Sequence, residues 1–353
     1  MNTTNLESLG WNPVLAESFS RLWPSGLTPA RISSVHGSAY DVLSPSGRLL
    51  AELAGKLRPS DGAERPATGD WVALAERAED RRATIHGILP RRTKLSRKVA
   101  GATTQEQVVA ANVDLLFMVM ALDDDFSPRR AERYLSIAWE AGIQPVILLN
   151  KSDGCDDFAE RILEIEAVAP GVPVLALSAR TGSGIEQLAT YLTPGRTVAL
   201  LGSSGVGKST LVNRLSGSEL LETRPVRECD GKGRHTTTHR ELVPLPQGAI
   251  LIDNPGLREL QLWEAPAGVA ATFHEIGELA SGCQFRDCTH RHEPGCAVKG
   301  AVETGELSAE RFRSWQKLDR EQAYLSRRVD QRARLEEKRR WRTISKAIRR
   351  MQS

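Results

Sequence analysis

Gly202-Ser203-Ser204-Gly205-Val206-Gly207-Lys208-Ser209-Thr210 has the G-x-x-x-x-G-K-[ST] spacing, with apolar Val198 to Leu201 before it and Leu211-Val212 after it. Strand, loop and helix in that order build a phosphate loop. The glycines let the backbone wrap tightly, so that successive N–H groups and a helix N-terminus face phosphate oxygens. The spacing assigns Lys208 to the β- and γ-phosphates and Ser209 to a Mg²⁺ ion. The bland alternative, a Gly/Ser loop with an accidental lysine, does not account for the flanking strand and helix.

A phosphate loop does not choose a base. Asn150-Lys151-Ser152-Asp153, at the end of the apolar run Val146 to Leu149, does. A carboxylate at Asp153 accepts from guanine N1–H and N2–H. Adenine has no proton at N1 and would leave that acceptor unpaired in a buried site. Asn150 either bonds the guanine edge or ties neighbouring loops together, and the Lys151 stem lies along the base. Ser178-Ala179-Arg180 follows the next apolar run, Val174 to Leu177, and offers the Ala179 N–H to guanine O6.

Asp253-Asn254-Pro255-Gly256 ends the apolar stretch Ala249 to Ile252. By itself it is a good turn. Downstream of a phosphate loop it has the D-x-x-G form, in which Asp253 holds Mg²⁺ through water and the Gly256 N–H senses the γ-phosphate. Between the two motifs lies the polar, Gly-rich stretch Gly231 to Thr238, where Thr237 is the candidate to complete the Mg²⁺ shell. Leu257 follows Gly256, so the water-orienting glutamine of Ras-like enzymes is missing. His235 is the candidate to replace it, against the plainer reading of a surface-loop histidine. Slow intrinsic hydrolysis and a partner that orders this loop are expected.

The guanine-reading segments precede the phosphate loop, the reverse of the usual order, and no second N-K-x-D follows Gly256. One site made by a circular permutation is the economical solution, with Thr181 to Arg196 joining the former ends. Further on, Cys283-x4-Cys288-x-His290-x5-Cys296 offers three thiolates and an imidazole, a complete tetrahedral set for one structural Zn²⁺. His292 is an alternative to His290, and stray buried thiols are the bland reading.

The elements that must position these residues can be read from periodicity. Five short alternating runs between Ile32 and Leu89 suggest a small β-barrel, with Leu6 to Trp23 as a helical cap. From about residue 105 to 262 strand and helix alternate, and the apolar strands signal a mostly parallel sheet covered on both faces. The expected division is an N-terminal extension (1–30), a barrel (31–95), a permuted α/β domain (105–262) and an α-helical zinc-binding domain with a basic tail (263–353). One helix to Ala280 and a long one from Ser308 onward are expected in the last. The 353 residues, 40% hydrophobic and 26% charged, describe a globular chain, and no run of apolar residues is long enough for a membrane span. A cytoplasmic location follows by default.

The net charge of +3 conceals an asymmetry: Arg311 to Arg350 carries 15 Lys/Arg against 5 Asp/Glu. A solvated face is the ordinary reading of such a run. Beside a barrel and a zinc module it points instead to phosphate-backbone contact. Trp315, Tyr324 and Trp341 are packing anchors or base-stacking groups.

Taken together, Gly69-Asp70-Trp71-Val72, the rotated motifs, the G-R-H-T-T-T loop and the Cys/His cluster resemble the bacterial circularly permuted GTPases of the RsgA (YjeQ) family over nearly the whole chain. The resemblance implies an OB-fold barrel, GTP/GDP with Mg²⁺ and Zn²⁺, and His235 as catalytic histidine. It also implies the small ribosomal subunit and its rRNA as partner, with release after hydrolysis. No membrane partner and a monomeric chain are expected. Asn254 stands where the family usually has Thr. A non-hydrolysing, nucleotide-dependent RNA-binding module is the competing expectation, and a membrane-surface GTPase a third.

Overall fold

Alternating apolar side chains lay down Thr28–His36 (β1), Ala39–Ser44 (β2), Gly47–Leu53 (β3), Trp71–Arg77 (β4) and Arg82–Ile88 (β5) as strands. They pair in the order β1-β2-β3-β5-β4, and β4 returns to β1, closing a five-stranded barrel. Ile32, Val42, Ala51, Leu74 and Ile85 fill its interior. All five expected runs are strands. The N-terminal stretch expected to be helical is a short turn at Glu7–Leu9 followed by α1 (Pro13–Leu22). Asn12 caps this helix by accepting from Leu15 N at 3.0 Å, and Leu15 and Phe19 are its buried face.

The computed structural model describes residues 4–23, 25–57, 65–98, 106–217, 241–253 and 265–327. After the barrel a hairpin of Lys94–Lys98 (β6) and Glu106–Ala111 (β7) precedes the α/β segment. The latter runs Leu115–Ala121 (β8), Pro128–Glu140 (α2), Gln144–Asn150 (β9), Phe158–Glu166 (α3), Val174–Ala176 (β10), Thr197–Leu201 (β11), Lys208–Ser216 (α4), Glu241–Pro244 (β12) and Ile250–Asp253 (β13). Strand order is β10-β9-β8-β11-β13-β12, parallel except for β12. Every residue of β8 is buried, as a strand covered on both faces requires. Although β11 comes fourth of these six strands in sequence, it lies in the middle of the sheet, between β8 and β13. Rotated motif order and ordinary spatial order are thereby reconciled.

The barrel joins this sheet through β1. Its first half pairs with β4, and its second half reaches β12, with Ser34 opposite Glu241 and Arg48 bonded to Glu241 at 3.0 Å. A buried cation fixes the junction. Arg31 donates to Leu9 O, to Gly69 O (3.3 Å), to Asn112 O (3.3 Å) and to Thr197 Oγ1 (2.8 Å), and lies 5.3 Å from the Trp71 ring. Burial lowers its pKa to about 10, so it stays charged. The Gly-Asp-Trp-Val segment is explained here. A Cβ on Gly69 would stand 2.2 Å from Ala111 O, and buried Asp70 pairs with Arg91 at 2.7 Å.

The described residues group in two compact units, and the second contains residues 97–98, 106–107 and 265–327. In that unit Pro266–Thr272 (α5), His274–Ala280 (α6), Ala297–Thr304 (α7) and residues 309–327 (α8) are helical. The single helix expected to reach Ala280 is broken at buried Phe273, whose φ and ψ of −119° and 42° leave the helical region. Arg311 must be withdrawn from the basic tail. It is buried, bonded to Glu275 Oε1 (2.7 Å) and Thr272 O (2.6 Å), and stacked over Phe273. Arg313, Lys317, Arg320 and Arg327 lie on α8, where Arg320 and Arg327 bond carbonyls of their own helix; the charge run from residue 328 on lies outside the described residues.

Candidate nucleotide site and metal centre

Parallel strands deliver their C-terminal ends to one edge of a sheet, where ligands of open α/β folds bind. Here β8 ends before Asp123, β9 at Asn150, β10 before Ser178, β11 before Gly202 and β13 at Asp253. The glycines of the phosphate loop are sterically required. A Cβ on Gly202 would stand 2.3 Å from Val119 O, and one on Gly207 would stand 2.2 Å from Asn150 Nδ2. Gly205 and Gly207 also have φ of 82° and 95°, in the left-handed region. Lys208, largely buried, donates from Nζ to Gly202 O at 2.6 Å and to Ser203 O, which holds its charge within the loop. Ser209 and Thr210 follow in the first turn of α4.

Asn150 resolves the alternative left open by its sequence. It is 2% exposed and bonds two loops: Nδ2 donates to Val206 O at 2.7 Å, and Oδ1 accepts from Ala179 N at 2.9 Å. One side chain thus splices the phosphate loop to the Ser178–Arg180 loop. The Ala179 amide, expected to meet guanine O6, is engaged by Asn150. Asp153 is held by Ser178 Oγ at 2.5 Å and by Arg180. The Ser178 hydroxyl is the largest influence holding this carboxyl below its usual range; partial desolvation opposes it and Arg180 adds to it. Ser152 opens the short turn after Lys151, whose own φ of 66° directs the chain around.

Three further residues had no sequence signal. Asp123 Oδ2 accepts from Lys151 Nζ at 2.6 Å, tethering the lysine stem. Arg214, on the helix that opens at Lys208, donates to Ala179 O (3.3 Å) and Arg180 O (2.5 Å). Tyr134, buried on α2, lies close enough to Ser203 for the two side chains to interact electrostatically. Each gains its partner from a segment distant in sequence, so no local spacing marks it. Asp253 ends β13, which runs parallel to β11, at the same sheet edge as the phosphate loop. His235, Thr237 and Gly256 lie outside the described residues.

In the second unit Cys283, Cys288, His290 and Cys296 bring their ligand atoms within 4.8 Å of one another. His290 Nδ1 is 3.3 Å from Cys296 Sγ and 3.6 Å from Cys283 Sγ, and those two sulfurs are 3.9 Å apart. A tetrahedron with metal–sulfur bonds of about 2.3 Å has edges of roughly 3.8 Å, close to the three distances among Cys283, His290 and Cys296, so these residues are arranged as a metal's ligands would be. His290, rather than His292, belongs to the set. Burial lowers the His290 pKa, favouring the neutral imidazole that ligates metals. Trp315 packs edge-on against His290 and stacks on Phe312, which makes it a packing anchor.

A central parallel sheet, with phosphate and base loops spliced at one edge but encoded in rotated order, defines a circularly permuted P-loop GTPase. Comparison with known proteins agrees. The family model described as RsgA GTPase matches residues 88–263. A second, described as ABC transporter, matches residues 185–349, a stretch that contains the phosphate loop common to many nucleotide-binding proteins. A protein of Opitutus terrae named small ribosomal subunit biogenesis GTPase RsgA is 47% identical over 96% of this chain and 95% of its own. One of Syntrophotalea carbinolica with the same name is 44% identical over 96% of each. Among solved structures, YjeQ from Thermotoga maritima is 29% identical with a TM-score of 0.63, over 84% of this chain and 99% of its own. The circularly permuted GTPase YloQ, 24% identical with a TM-score of 0.59 over 86% of this chain and 96% of its own, shares the fold. The chain belongs to the RsgA GTPase family.

Proposed function

We propose that this GTPase reads guanine with Asp153, Asn150, Lys151 and the Ser178–Arg180 loop, and hydrolyses GTP during late maturation of the small ribosomal subunit. The observation that supports this reading is the Asn150 splice, which bonds two segments 56 residues apart. Gly202 to Thr210 wrap the phosphates, with Lys208 turning from its loop carbonyls toward the β- and γ-oxygens. Ser209, Thr237 and water-linked Asp253 would hold Mg²⁺, which when bound neutralises charge on the transferring phosphoryl group. Gly256 senses the γ-phosphate, and His235 orients the attacking water in place of the absent glutamine. The Cys₃His set holds one structural Zn²⁺, because four protein ligands leave no position open for water.

The partner is inferred from the relatives' names. The subunit and its rRNA are bound in the GTP state and released after hydrolysis, by a monomer acting in the cytoplasm. Among the described residues no helix is long and apolar enough to cross a membrane. GTP turnover measured alone and with small subunits, large subunits or bare rRNA tests this reading. Stimulation specific to small subunits is expected, and His235→Ala is expected to lower kcat with KM unchanged. Equal turnover under all four conditions refutes the partner, and unaltered kcat in the variant refutes the role of His235.

A further inference from the structure

Glu293 lies between two of the cysteine/histidine ligands and is not one of them, yet its carboxylate is fully occupied. Oε1 accepts from Thr289 N (3.1 Å) and Thr289 Oγ1 (2.5 Å), and Oε2 accepts from Arg291 N (2.9 Å) and His292 N (3.1 Å). These donors bracket His290 on both sides. His290 has φ of 58°, in the left-handed region that L side chains rarely adopt. That backbone state carries the imidazole over the two thiols, with Nδ1 at 3.3 and 3.6 Å from Cys296 and Cys283 Sγ. Without a group to gather the three amides, a non-glycine residue would relax out of this conformation and carry its ring off the thiols.

We propose that Glu293 is the positioning residue of the metal centre: it folds the backbone around His290 so that the imidazole, not water or a fourth thiolate, completes the ligand set. This rests on reading the cluster as a metal site. The four bonds, that from Thr289 first, also hold the Glu293 carboxyl far below its usual range, so at neutral pH it is an acceptor only. It acts from outside the ligand shell, through the peptide of the histidine rather than through the ring. Outer partners of this kind set metal affinity over roughly 10–100-fold.

The test uses the full-length chain loaded with Zn²⁺ or Co²⁺. Zinc affinity is measured by competition with a chromophoric chelator, and ligand identity by the visible d–d absorption of the cobalt form. Glu293→Ala should bind zinc about 10–100-fold more weakly and shift the cobalt spectrum toward a set lacking imidazole. Glu293→Gln keeps one acceptor oxygen and should fall between Ala and the parent in both readouts. Guanine-nucleotide affinity should not change in either variant. An Ala variant with the parent's spectrum and zinc affinity within threefold overturns the proposal; should it not fold, Glu293→Gln decides by the same criteria. A parent chain that takes up no stoichiometric metal overturns the metal reading itself.

Discussion

Replacing Asn150 by alanine removes a side chain that joins the phosphate loop directly to the base loop. Two buried groups lose their partners, the Val206 carbonyl and the Ala179 amide. Each orphaned buried group costs about 1–3 kcal/mol, so the pair costs about 2–6 kcal/mol, with the lower half expected where water enters the space left behind. Even about 2–3 kcal/mol corresponds to roughly 30–150-fold in affinity if the ligand must order both loops. Gly207→Ala reaches the same splice from the other side, since its methyl would stand 2.2 Å from Asn150 Nδ2. In the Asn150→Ala background that overlap vanishes, leaving about 1–2 kcal/mol for an alanine in the left-handed conformation. Displacement of a fluorescent GDP analogue from the two single variants and the double variant therefore gives less than additive losses, with a coupling of about 1 kcal/mol or more. Strict additivity, or an Asn150→Ala affinity within threefold of the parent, would refute the splice.

Asp153→Asn should weaken GTP and admit xanthosine nucleotides, measured by the same displacement. Because the folded-state pKa of Asp153 is depressed, guanine affinity should persist as pH falls through the usual carboxylate range and be lost only below it; a loss centred at the ordinary value would contradict the Ser178 contact. Arg31→Ala strands Leu9 O, Asn112 O and Thr197 Oγ1 in the junction. It should lower stability by at least about 3 kcal/mol in denaturant titration, and Arg31→Lys should rescue little, lacking the guanidinium fork. Stripping metal with a chelator should raise amide exchange in residues 283–304 and leave β8 and β11 as protected as before; uniform protection throughout would mean that no metal holds that loop.

The nucleotide loops were legible because phosphate and guanine chemistry restrict both residue type and spacing, and the barrel because five alternating runs are separated by turn residues. Asn150 was half legible: its presence follows from the motif, but whether it meets base or loop depends on Val206, 56 residues away. Arg31 looked like any strand arginine until Thr197, 166 residues later, became its partner. β12 was missed because four residues ending in proline carry too little periodicity. The expected continuous helix to Ala280 fails at Phe273, where burying a large ring outweighs helix continuity. Arg311 fails the expectation for the opposite reason, since a charge run conceals a member that turns inward onto Glu275.

The barrel's grip on β12 also has a history in time. The last barrel strand is complete at Ile88, whereas the strand that covers the outer half of β1 ends at Pro244. At about 5–20 residues per second of synthesis, roughly 8–30 seconds separate the last barrel strand from the strand that covers that edge. Arg48, paired to Asp41, puts a charge beside this edge, a usual guard of an open strand against foreign pairing. When Glu241 arrives, Arg48 gains its second carboxylate. The side chain that shields the unfinished edge is the one that seals it.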